Sequence, residues 1–205
     1  MKFFAPLMCF LLFSASSFAQ FQSDKTHKYK LNNWSIAFTN AHSQKPFGSF
    51  SRLFYTEWHP GIEIGTGFTW KTKPHHDWIQ NFRLGYFYHQ FIQHSISLYT
   101  ESGYAYKFPC TITAIAKLGI GYMQAIPDSR VFVFDNEKGY TRKNNLGRSQ
   151  AIFNFNLAVQ KQFSKQGSKI FLEYQQRLQV PFIPSYVPIL PYNILMAGFI
   201  FPIHK

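Results

Sequence analysis

The chain has 205 residues, a formal net charge of +12, 20% aromatic residues and 15% charged residues. This length suits one domain of ordinary size. The basic balance favours anionic partners such as acidic polymers or membrane phosphates; no nucleic-acid motif is present, so no nucleic-acid partner is expected.

The amino terminus reads as a targeting segment. Lys2 supplies a positive start, Phe3 to Phe13 an apolar run, and Ser17-Phe18-Ala19 a small-x-small cleavage site. Residues 1–19 are therefore read as a secretory signal peptide, 20–30 as a periplasmic segment, and 31–205 as the folded domain. Export removes Cys9 and leaves only Cys110, so no intrachain disulfide is expected. Prolines 188, 191 and 202 and Asn193 interrupt the most apolar later run, so no membrane helix is expected either.

From there on, alternation with a period of two dominates. In chain order the segments are 33–39, 61–70, 82–90, 95–106, 111–122, 151–163, 169–180 and 193–201, eight strands in all. Several reach the length of a tilted bilayer span, roughly 9–11 residues. Short connections at "KTKPHHD", "KFPC" and "SKQGS" fall on one side; on the other lie long ones near 41–57 and 124–149, a short link near 91–94 and the intermediate "PFIPSYVPILP". "VFVF" at 131–134 extends or hairpins beyond the main array. Tight turns on one side and long loops on the other mark an outer-membrane barrel.

The strands have two unlike faces. One register carries glycines and charges: Glu63, Gly65 and Gly67, then Arg83 and Gly85, then Glu101 and Gly103, then Lys117, Gly119 and Gly121. The other is branched and aromatic, with Trp34, Trp70, Trp78, Tyr86, Tyr88, Tyr104, Tyr106 and Tyr122 near strand ends, as in interfacial girdles. Glycine in a strand marks crowding, which a narrow interior imposes. The expectation is an all-β, eight-stranded antiparallel up-and-down transmembrane barrel with its polar face inward. A soluble, lipocalin-like binding barrel with the faces exchanged is the alternative fold.

Glu63, Arg83, Glu101, Lys117, Glu173 and Arg177 then form a charge-balanced lumen network. An eight-stranded interior is about filled by side chains, so a narrow pore is only an alternative. Lys138, Arg142, Lys143 and Arg148 form a basic loop suited to lipopolysaccharide phosphates. Phe182, Tyr186, Ile189 and Leu190 give the proline-rich connection an apolar character, as a lid over the barrel or a surface for another outer-membrane protein. His75 and His76 are adjacent and point opposite ways in extended chain, so no metal site and no cofactor are expected.

The signal segment, the eight strands and "NILMAGFIF" at 193–201 resemble the small outer-membrane β-barrels of Gram-negative bacteria. That last strand is similar to the terminal signal read by the barrel-assembly machinery, which the resemblance implies as a partner during insertion. "LGYFYHQFIQHSISLYTESGYAY", "LGIGYMQAIPDSRVF" and "SYVPILP" resemble an uncharacterised barrel family of Bacteroidetes. This resemblance implies a fold and an outer-membrane location but supplies no activity; the expectation is a structural or binding role through the outer loops, with no catalysis. The alternative is a lipid A-modifying acyl hydrolase or transferase at the outer rim, built on His89, His94, Ser95, Ser97 and Glu101. The deacylase His-x-Ser-Asn stretch is not present, and Ser97 falls on the opposite face from His94.

Overall fold

The computed structural model describes residues 31–44, 48, 57–90, 92–128, 132–135, 139–142, 147–182 and 188–203. The expected signal peptide, the 20–30 segment, Lys138, Lys143 and Tyr186 lie outside the described residues.

The main strands are β1 (Asn33–Ser43), β2 (Pro60–Thr72), β3 (His76–His89), β4 (Gln93–Lys107) and β5 (Ile112–Pro127). A small hairpin follows, β6 (Phe132–Asp135) and β7 (Gly139–Arg142), then β8 (Arg148–Gln162), β9 (Lys169–Val180) and β10 (Leu190–Pro202). Eight of them close an antiparallel barrel in the order β1-β10-β9-β8-β5-β4-β3-β2, while β6 and β7 pair only with each other. The strands run past the expected bounds: β5 has 16 residues and ends at Pro127, and β8 begins at Arg148. The alternation of polar inside and apolar outside fails there: β8 opens with Arg148-Ser149-Gln150, polar on both faces, and β5 turns the apolar Met123 and Ala125 inward, yet the backbone ladder continues because unpaired amides are costly.

The chain termini and the three tight turns at 73–75, 108–111 and 163–168 share one end, here the terminal end. The longer connections at 44–59, 128–147 and 181–189 share the other, the loop end, with the short link at 90–92. Between Thr69 and Lys71 the β2–β3 register shifts at a bulge, where Trp70 is the extra residue.

Every barrel strand presents large apolar side chains outward, with Phe38 on β1 and Leu118 on β5 each 67% exposed. Inward, Glu101 and Arg177 are 0% exposed. The interior is the polar side, as in a barrel whose solvent is lipid. Trp34, Trp70, Trp78, Tyr104, Tyr106 and Phe201 ring the terminal end, and Tyr86 and Tyr122 stand toward the loop end. Inside, a Cβ added at Gly85 would sit 2.8 Å from Glu63 Oε1 and 3.0 Å from Ser97 Oγ, and one at Gly121 would strike Tyr99. Glycine at these places is the room that the lumen side chains occupy.

Candidate functional site

Three features concentrate chemistry: the lumen, the loop-end mouth and a polar cluster on the outer rim.

The lumen is layered. At mid-height Glu63, Arg83, Glu101, Lys117, Glu173 and Arg177 come together. Arg83 donates to Glu173 at 2.7 Å and also faces Glu63 at 3.4 Å and Glu101 at 3.3 Å. Lys117 joins Glu101 at 3.0 Å and Glu173 at 2.7 Å, and Arg177 reaches Glu63 at 3.2 Å. Strands β3 and β9 stand diametrically opposite in the ring, so the Arg83–Glu173 bond crosses the whole lumen. Neutral side chains complete the network: Tyr99 donates to Glu63 at 2.5 Å, Asn156 to Glu173 at 2.6 Å, and Gln175 to Tyr99 at 3.3 Å. The Arg177 guanidinium lies 4.9 Å from the Tyr99 ring centre. Burying so many charges is tolerable only because each has a partner.

Above this layer, toward the loop end, Phe87, Met123, Ile152, Tyr192 and Ile194 form an apolar plug. Gln93 links Gln179 and Tyr192 at 3.3 Å each, and Gln179 donates to Gln150. At the mouth itself three imidazoles meet: His59 stacks on His42 with ring centres 5.0 Å apart and packs edge-on against His89 at 3.8 Å. Each of the three is 6% exposed. Burial, with His42 beside it, pushes His59 below the ordinary histidine range, while the Glu57 carboxylate acts the other way. The rings pack against one another instead of converging on a point: among the described residues no three His, Cys, Asp or Glu are arranged to hold a metal ion.

The residues expected for an acyl-transfer site are not brought together. His89, Ser95, Ser97 and Glu101 all point into the lumen and are buried, whereas His94 is 39% exposed on the outside. Ser97 Oγ accepts from Arg177 at 3.3 Å, and Glu101 is held by Lys117. The strand alternation that separates odd from even residues of β4 forbids the set.

His94 has different partners. Its Nε2 lies 3.3 Å from Asp128 Oδ1, and its Nδ1 lies 2.9 Å from the Tyr86 hydroxyl. The Tyr88 hydroxyl donates to Asp128 at 2.9 Å, and its ring stacks on His94 at 4.7 Å. Asp128 directly follows β5, 34 residues after His94 in the sequence, so only the strand register could have paired them.

Among the basic-loop residues, Arg142 lies in β7, and Arg148 opens β8. Arg148 Nη1 donates to the Phe182 carbonyl at 2.8 Å, and its guanidinium lies 5.4 Å from the Phe182 ring centre. Gln150 donates to the Pro181 carbonyl at 2.8 Å, so β8 ties down the start of the proline-rich connection. At its far end Ile189 is 47% exposed, and Leu190 packs against the apolar plug.

No family model and no curated protein sequence matches the chain. Solved structures share its barrel architecture. Ail, the attachment invasion locus protein of Yersinia pestis, is 11% identical over 85% of this chain and 99% of its own, with a TM-score of 0.48. The outer membrane enzyme PagL is 11% identical over 83% of this chain and 99% of its own, at 0.48. Neisserial surface protein A is 9% identical over 84% of this chain and 96% of its own, at 0.49.

Proposed function

We propose that this chain is an integral outer-membrane β-barrel with periplasmic termini, a sealed lumen, and a structural or binding role exercised from its loop end. One observation carries the reading: every barrel strand turns large apolar side chains outward while the charges are buried within. In water such an exterior is a large contiguous apolar surface, which soluble monomers rarely carry. In lipid it is the matched surface, and closure leaves no sheet edge unsatisfied. The lipocalin-like alternative requires the reverse arrangement.

Two measurements test this. Membrane-extracted protein run on an SDS gel is expected to migrate differently with and without boiling, as a closed barrel does. Cys110, exposed in the terminal-end turn at 108–111, is expected to react with a membrane-impermeant maleimide only after the outer membrane is opened. An unshifted band with folded protein in the soluble periplasm overturns the membrane reading. Labelling of Cys110 on intact cells overturns the orientation.

The loop end is the binding end in this reading. Lys138, Arg142, Lys143 and Arg148 cluster in sequence between β5 and the start of β8, and guanidinium groups suit the phosphates of lipopolysaccharide. A second reading is acyl transfer at the rim, favoured by the aligned Tyr86, His94 and Asp128. Asp128 orients the imidazole so that Nδ1 faces the Tyr86 hydroxyl, which is the geometry of a general base beside its nucleophile. Ester hydrolysis by the purified barrel that is lost in both His94→Ala and Tyr86→Phe supports it; activity that survives both substitutions refutes it.

A further inference from the structure

The six charges of the central network cancel, three acids against three bases. The terminal half of the lumen does not cancel. Below the network lies a cavity of about 100 Å³, walled by residues of all eight barrel strands, with Arg83 at its floor. Three further charges line it: Asp77, Lys107 and Lys169. Lys107 Nζ sits 2.7 Å from Asp77 Oδ1, so these two satisfy each other. Lys169 opens β9, is half-buried at the cavity wall, and forms no ion pair among the described residues. The enclosed interior therefore carries one cation in excess. Asp77 acts on both lysines, so one carboxylate answers two ammonium groups held partly out of water, an unfavourable arrangement unless a second anion joins them.

The rest of the wall suits an anion. Asn33, Ser35, Asn81, Thr113 and Gln160 present amide and hydroxyl groups to the cavity. These groups can donate to an oxyanion without adding charge. The space admits several waters, and so a phosphate or a small carboxylate. Asp77 does not repel such a guest strongly, because its charge is already taken up by Lys107. The cavity opens toward the tight-turn end, so the ligand enters from the compartment that holds the termini.

We propose that the terminal-end vestibule is a binding site for one small oxyanion, phosphate or carboxylate, anchored on the Lys169 ammonium. The proposal does not depend on which membrane holds the barrel, nor on the role of the outer loops.

The test uses the full-length barrel, folded in an uncharged detergent and titrated calorimetrically with inorganic phosphate and, separately, with acetate. Saturable binding of one anion per chain is expected for at least one of the two. Lys169→Met is expected to weaken that binding about tenfold, the equivalent of roughly 1.4 kcal/mol, and Lys169→Arg to restore most of it. Lys161→Met, which removes an exposed lysine outside the cavity, is expected to leave binding unchanged. Absence of saturable binding to the wild-type barrel by either anion overturns the proposal without any variant. So does equal binding in a Lys169→Met protein that still shows the folded-barrel gel shift.

Discussion

Glu173 is the hinge of the central network: one carboxylate holds Arg83 at 2.7 Å through one oxygen and Lys117 at 2.7 Å through the other. Removing it leaves three buried cations, Arg83, Lys117 and Arg177, to share Glu63 and Glu101. Breaking a buried pair from one side costs about 3–5 kcal/mol, because the surviving charge has no water to turn to. Glu173→Ala is therefore expected to lower unfolding stability in lipid by that amount. An exposed charge such as Lys161, changed to alanine, is expected to shift it by about 0.5 kcal/mol or less. Urea titrations of the refolded barrel in vesicles compare the two, and equal effects would mean that the network is structurally idle. The common register of these six residues is legible in the sequence, because alternation assigns every charge to the same face. Which acid meets which base is not. Arg83 and Glu173 are 90 residues apart, and only the stagger of a closed ring sets them at one height. The same limit hid Tyr99, Asn156 and Gln175, whose types do not distinguish a network member from an ordinary inward polar residue.

At the scale of elements, the eight barrel strands were readable because lipid and lumen demand opposite side chains on successive residues. Their ends were not, since β8 opens with residues polar on both faces and β5 ends with apolar residues turned inward, so the alternation that marks the spans is lost. The β6–β7 hairpin stands apart from this logic: it makes its own two-stranded sheet and pairs with no barrel strand. Its removal costs the barrel no ladder hydrogen bond. Shortening the link between β5 and β8 slightly reduces the entropy of closing it. Replacing residues 129–146 with a short Gly-Ser link is thus expected to leave the heat-dependent gel shift intact. If the basic residues there contact lipopolysaccharide, the same deletion weakens binding to lipopolysaccharide and makes the remainder less sensitive to salt. A barrel that no longer folds after this deletion would show that the hairpin guides assembly. Arg148 lies just outside the deleted stretch and keeps its bonds to Phe182, so the proline-rich connection serves as an internal control.

The molecule as a whole is a stack of seals. From the loop end inward come the three imidazoles, a layer in which Phe87, Met123, Ile152, Tyr192 and Ile194 interleave with Gln93, Gln150 and Gln179, and the ionic layer that Arg83 and Glu173 bridge from wall to wall. Below that layer lies a cavity, and Arg83 forms its floor. An ion crossing the barrel would have to part the cross-lumen bond and then the packed layer in which Phe87, Met123, Ile152, Tyr192 and Ile194 interlock with bonded glutamines. Each step is costly in a low-dielectric interior. Planar bilayers containing the folded protein are therefore expected to show no steady conductance. Paired removal of the bridge, Arg83→Ala with Glu173→Ala, leaves the net charge of the lumen unchanged and deepens the vestibule. It leaves the apolar plug in place, so this double variant is expected to stay closed as well. Conductance appearing only in the double variant would make the ionic layer the true barrier and the plug permeable. Conductance in the wild-type barrel would mean that the cross-lumen bond opens on its own, and the narrow-pore alternative would replace the sealed one.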